Sequence, residues 1–140
     1  IYQIRGSGKI PGTTIAPCHG WVHVRVLNGR LHLHMFQRSA DVPVGVPSNM
    51  IQYSALLLML GQLTGHRPAS FYHTMSDAHI YADQVEHIAP MLARSARALP
   101  TVTLTAAGQA ITDIHDFRPD HFEMADYEPH LAIPRIPVAT

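Results

Sequence analysis

The chain has a single cysteine, Cys18, among its 140 residues. An intrachain disulfide is excluded, and with it the small secreted scaffolds that depend on several. Charge is also scarce: 14% of residues are charged, with 10 Lys and Arg set against 10 Asp and Glu. A chain without a basic excess is not built as a non-specific nucleic-acid binder, so no obligatory nucleic-acid partner is expected. No apolar run approaches the length needed to cross a bilayer. The longest, Ala55 to Leu60, is far too short, so no membrane partner is expected either. The opening residues, Ile1-Tyr2-Gln3-Ile4-Arg5, lack the basic start and apolar stretch of a signal peptide. They also lack an initiator methionine and read as the inside of a strand, so further sequence is expected upstream. The expectation is one domain, or part of one, working in the cytoplasm.

What the chain does contain is enough apolar material, 46%, to build a core, together with 11 scattered histidines. Trp21 to Met35 gives the clearest structural signal. Val22, Val24 and Val26 alternate with His23 and Arg25; Leu31, Leu33 and Met35 alternate with His32 and His34. Asn28-Gly29 lies between the two runs, and Asn-Gly suits a type I′ turn, which needs positive φ at both positions. The spacing predicts a hairpin with His23, His32 and His34 on its more polar face. A metal site on that face is conceivable, but no carboxylate pattern supports one, and a solvated or interface-facing surface is the plainer reading. No metal is expected.

Ser48 is expected to cap a helix that runs to Thr64 and stops at Gly65. From Ala55 onward that helix is apolar nearly all round, which predicts a buried central position. Phe71 to Thr74 and Thr101 to Leu104 read as strands, and Ile111 to Phe117 and His121 to Met124 as short extended pieces. Asp83 is expected to cap a helix from Gln84 to about Ala96, with Pro90 inside it. Asp126 to His130 reads as a turn and Ile133 to Ala139 as an extended tail. The predicted class is α+β, a mixed sheet packed on a buried helix.

Candidate chemistry centres on Ala16-Pro17-Cys18-His19. A lone cysteine is by itself more often an inert, buried small hydrophobe. Three neighbours favour a reactive thiol here: Pro17 stiffens the backbone, His19 follows at once, and Arg38 lies in the polar run Gln37-Arg38-Ser39-Ala40-Asp41. Nearby positive charge lowers a thiol pKa and makes it a nucleophile. Arg38 and Ser39 also make a natural phosphate-binding pair, a planar fork of donors beside a short hydroxyl; the plainer alternative is a surface arginine paired with Asp41. Gly6-Ser7-Gly8-Lys9 offers a second, weaker phosphate loop, with no helix pattern after it. Asn49, close behind Ser48, offers an amide to a ligand, although capping explains it equally well.

These pieces, in this order, resemble thymidylate synthase, the folate-dependent family with a cysteine nucleophile. The resemblance rests on Pro17-Cys18-His19, Gln37-Arg38-Ser39 with Asp41, Gly45 before Pro47 and Asn49, Asp77-Ala78-His79-Ile80-Tyr81, Tyr127-Glu128-Pro129-His130, and Pro137-Val138-Ala139. It covers nearly the whole chain and fades upstream of Ala16. It implies a thymidylate synthase-like catalytic domain over residues 1–140, lacking its N-terminal portion, with one sheet face used for dimerisation. The implied reaction is reductive methylation of dUMP to dTMP with 5,10-methylenetetrahydrofolate. By the same resemblance Cys18 adds to C6 of the pyrimidine, with His19 as a support. Arg38 and Ser39 hold the nucleotide phosphate, Gln37 precedes them in the same nucleotide-binding run, and Asn49 reads the uracil edge. His79 and Tyr81 hold the deoxyribose hydroxyl; Asp41, Gly45 and Ala139 face the folate. A homodimer is implied as well.

Several positions depart from the family pattern. Ser48 stands where the family usually has Phe, Ser76 where it has Gly, Asp83-Gln84 where it has Asn-His, Leu131 where it has Pro, and Thr140 where an aliphatic residue ends the chain. The family's general acid/base Glu, its folate-facing Trp and its cross-subunit Arg pair would lie upstream of the cysteine and have no match here. The Ser48 and Asp83-Gln84 changes raise an alternative, a pyrimidine nucleotide 5-hydroxymethylase in which water replaces hydride in the last step. A non-catalytic nucleotide- or RNA-binding remnant is the other-class alternative.

Overall fold

The computed structural model describes residues 17–138. The strand expected at Ile1 to Arg5, the loop at Gly6 to Lys9 and the tail residue Ala139 lie outside them.

The hairpin forms as its alternation predicts. β1 (Trp21–Leu27) pairs antiparallel with β2 (Arg30–Gln37), His23 opposite His34 and Arg25 opposite His32. Asn28 and Gly29 both have positive φ, 50° and 73°, as a type I′ turn requires. β2 then pairs parallel with β4 (Arg67–Met75), with an irregularity between Leu31 and His32. Parallel neighbours need a crossover. Here it is α1 (Gly45–Thr64), which returns the chain across one face of the sheet. β4 is longer at both ends than the strand expected at Phe71 to Thr74.

The core is the seam between α1 and that sheet face. Leu31, Leu33 and Met35 of β2 meet Tyr53 and Leu57 of α1, with Leu56, Leu60 and Phe71 packed around them. Gly61 lets the helix approach β4 closely, because a side chain there would meet the Pro68 ring at 2.6 Å. The helix stops where expected, with Gly65 in the left-handed conformation at φ 67°. It starts earlier than expected, at Gly45. Ser48 is therefore no cap: its hydroxyl donates back to the Val44 carbonyl at 3.3 Å. From Ala55 to Leu60, where near all-round burial is expected, every residue is buried or half-buried. Val46, Asn49, Tyr53, Leu57 and Gly61 form one buried stripe, while Met50 and Ile51 are exposed.

Beyond the sheet, β3 (Ala40–Asp41) and β5 (Ala78–His79) form a short parallel pair. A 3-10 turn, Ala82–Gln84, leads into α2 (Val85–Leu92). Asp83 lies within that turn rather than capping the helix, and α2 ends at Leu92, well short of Ala96. Pro90 has no N–H to offer the Glu86 carbonyl one turn earlier, so it takes one bond out of this short helix, and Gln84 rather than Asp83 occupies the helix N-cap position. β6 (Thr101–Leu104) pairs antiparallel with β7 (Phe122–Ala125). Two local features escaped the sequence reading. α3 (Ala106–Gln109) is a single turn whose cap, Thr105, accepts from the Gly108 N–H at 3.2 Å. The stretch expected to extend from Ile111 to Phe117 instead contains the 3-10 turn Ile114–Asp116, with Asp113 accepting from the His115 N–H. In both, a side-chain acceptor at the first position makes a compact turn cheaper than extended backbone.

Candidate active site

The site assembles where β2 ends. The Arg38 N–H donates to the Cys18 carbonyl at 3.0 Å, so the cysteine segment is stitched directly onto the strand carrying Gln37, Arg38 and Ser39. The spacing of 20 residues between them is spanned by the hairpin. Cys18 is a free, half-buried thiol. The next residue, His19, is fixed by Tyr53 of α1: its Nδ1 lies 2.8 Å from the tyrosine hydroxyl, with the two rings edge to face. Burial raises the Tyr53 pKa above the ordinary tyrosine value, so its hydroxyl keeps its proton.

Gln37, buried under the strand end, is held from both sides. The His73 Nε2 lies 2.9 Å from its Oε1, and its Nε2 donates to the Ser39 carbonyl at 2.9 Å. The His73 pKa is lowered, first by burial and then by the nearby His19. With a neutral ring, Nε2 is the natural donor to the amide oxygen, and Gln37 in turn orients the Arg38-Ser39 turn. A further stitch, from the Ser76 N–H to the Gln37 carbonyl at 2.9 Å, ties this turn to the end of β4.

The β3–β5 pair brings the next candidates together. Asp41 lies opposite His79, the Ala40 N–H donates to the Asp77 carbonyl, and the Val42 N–H donates to the His79 carbonyl. His79 contacts Asp77 through Nδ1 at 3.4 Å and Tyr81 edge to face at 4.9 Å between ring centres. Gly45 sits directly against Asp41, where an added Cβ would lie 3.6 Å from the Asp41 Cβ. Asn49 lies on the buried stripe of α1, 7% exposed, with Nδ2 3.4 Å from the Gln52 Oε1. That contact is long, and the amide has a second N–H and an oxygen to offer a ligand.

Three residues that the sequence reading did not assign belong to this region: Tyr53, His73 and Gln84. Tyr53 and His73 are recognisable only as apolar-face residues of a helix and a strand, and their partners are distant in sequence. Gln84 was visible only as a departure from a family pattern. Among the described residues no group of histidine, cysteine and carboxylate side chains is arranged to hold a metal ion.

The motif order that suggested a family is matched independently. The family model for thymidylate synthase matches residues 4–139, starting upstream of Ala16, where the motif resemblance faded. No helix among the described residues is long and apolar enough to cross a membrane. With the cysteine segment joined to the Gln37-Arg38-Ser39 turn, and with a match that runs almost from end to end, this chain belongs to the thymidylate synthase family.

Proposed function

We propose that the chain catalyses reductive methylation of dUMP to dTMP, using 5,10-methylenetetrahydrofolate as co-substrate, as a cytoplasmic homodimer. The observation that carries this reading is the hydrogen bond between the Arg38 N–H and the Cys18 carbonyl, which keeps a thiol and a guanidinium-bearing residue on adjacent backbone.

Uracil C5 is a poor nucleophile. Addition of the Cys18 thiolate to C6 moves the C5–C6 electron pair toward the C4 carbonyl and makes an enolate, so C5 gains carbanion character. Arg38 favours the thiolate, and with Ser39 it holds the nucleotide phosphate, while Gln37 orients their turn from beneath. Asn49 pairs with N3–H and O4 of the base, where one amide acceptor and one donor suit uracil and not cytosine. A donor already in place at O4 stabilises the enolate as it forms. His79 and Tyr81 hold the deoxyribose hydroxyl. Asp41, Gly45 and Ala139 face the folate, which when bound supplies the carbon unit and the hydride. A carboxylate on the β3–β5 pair, packed against a glycine, fits a pterin edge that presents N–H donors. Loss of the C5 proton and then of the Cys18 bond to C6 returns the thiol.

One observation favours a second reading, a 5-hydroxymethylase. Ser48 is an exposed hydroxyl in the first turns of α1, close to Gly45 in sequence, where the family usually has an apolar ring. A wetter wall near the folate would let water add to the exocyclic methylene of the nucleotide in place of hydride.

Both readings share the thiol step and predict release of tritium from C5-labelled dUMP when the folate is present. Cys18→Ser should reduce that release by about 1,000-fold or more. Tritium retained at C5 by the unaltered protein would exclude both.

A further inference from the structure

Gln84 is a fully buried polar side chain, 0% exposed, at the end of the Ala82–Gln84 turn. A buried amide is tolerated when its donors and acceptor are paired. Here its Oε1 accepts from the Tyr81 N–H at 3.0 Å. Its Nε2 reaches both oxygens of Asp41 at 3.2 Å and the Pro137 carbonyl at 2.9 Å. One N–H forks across the carboxylate, the other takes the tail carbonyl, and the amide is spent. Three segments far apart in sequence, at Asp41, Tyr81 and Pro137, are joined at one side chain.

The chemistry of the amide matters. A neutral imidazole, the group usual in the family at this position, has one N–H and one lone-pair nitrogen, and a protonated one has two N–H groups and no acceptor. Neither form serves Asp41, Pro137 and the Tyr81 N–H together, whereas a glutamine does. Each Asp41 oxygen carries more than one acceptor site, so the fork from Gln84 orients the carboxylate and leaves acceptor capacity facing away from it.

We propose that Gln84 is a positioning residue that tethers the C-terminal segment at Pro137 to the Asp41 carboxylate, so that the orientation of Asp41 and the seating of the tail are set together. This rests on the proposed folate-facing role of Asp41, and it extends that role by naming the group that aims the carboxylate. Tail attachment then depends on a side chain that does not itself titrate.

Trypsin cleavage after Arg135, an exposed residue just before the tethered carbonyl, reads the tether without any substrate. In Gln84→Leu, which keeps similar bulk and loses every hydrogen bond, cleavage should rise about five- to ten-fold, the loss of roughly one hydrogen bond, with no change in protection of the β2–β4 sheet. Gln84→Glu keeps an acceptor for the Tyr81 N–H and loses both donors; it should open the tail similarly, and it serves where the leucine variant does not fold. In turnover assays the KM for the folate should rise several-fold more than the KM for dUMP, a split that general destabilisation would not produce. Equal cleavage in the unaltered protein and a folded variant overturns the tether, whatever the protein catalyses. Faster cleavage with equal KM increases overturns the positioning of Asp41. Faster cleavage in a protein that transfers no carbon to dUMP supports the tether and assigns the failure to the functional reading.

Discussion

The two faces of the β1–β2–β4 sheet are made by the same strands and finished in opposite ways. Toward α1, β2 presents Leu31, Leu33, Met35 and Gln37, all buried, and the one polar member has its amide bonded at both ends. On the other face His32 and His34 of β2, His23 and Arg25 of β1 and Tyr72 of β4 line a cleft of about 180 Å³. There the buried Nδ1 of His32 has no hydrogen-bond partner among the described residues, and Tyr72 is 54% exposed. The first face is completed within the chain, and the candidate site grows from its end. The second is left with polar capacity to spend, which suits the proposed pairing of two sheets in a homodimer. An orphaned buried nitrogen is costly alone and becomes useful when a partner supplies its acceptor or donor.

The largest expected effect is on chemistry at the end of the closed face. Cys18→Ser should leave folding intact and lower turnover by about 1,000-fold or more, while nucleotide binding, followed by calorimetry, changes little. The faces themselves are contrasted by paired substitutions. Leu33→Ala, at a fully buried position, should cost about 2–5 kcal/mol in chemical denaturation, whereas His32→Ala should cost about 1 kcal/mol or less in the monomer. If the two costs were equal, the distinction between a closed and an open face would be lost. A smaller effect is expected of Tyr53→Phe. It removes the hydroxyl beside the His19 Nδ1, and about 1 kcal/mol of stability should go with it.

The smallest effect concerns pH. The folded-state pKa of His73 is lowered by burial and by His19. Folded protein therefore binds this proton less readily than unfolded protein does. The stability involved is fully present above the ordinary histidine pKa of about 6.5 and is lost as pH falls through the lowered folded value. His73→Gln should flatten the fall in melting temperature between neutral and mildly acidic pH. An unchanged slope would mean that other histidines carry the acid sensitivity.

How much was legible in the sequence follows the range of the interactions. The hairpin was readable because alternation and Asn28-Gly29 act within a few residues, and Gly65 marked the helix end for the same reason. Ser48 misled because a serine before an apolar run has the composition of a cap, while the backbone had already entered the helix at Gly45. The turn at Thr105 was missed because it spans so few residues that no periodicity develops. In the candidate site, the motif residues were legible as a pattern, but their supports were not. Gln84 reaches an aspartate 43 positions away and a carbonyl 53 positions away, and no local signal encodes either partner. His73 likewise reaches Gln37 from 36 positions away, across the parallel pairing that α1 makes possible.

In the proposed reaction Cys18 opens uracil C5 to a one-carbon unit. The most direct test is mass spectrometry of the nucleotide formed from dUMP and 5,10-methylenetetrahydrofolate, with Cys18→Ser alongside. The expected result is a 5-methyl nucleotide with dihydrofolate from the unaltered protein and no product from the variant. A 5-hydroxymethyl nucleotide with tetrahydrofolate would keep Cys18 and replace hydride by water, pointing to Ser48 and Asp83-Gln84. Unchanged dUMP from the unaltered protein, or equal product from the variant, would contradict this role of Cys18.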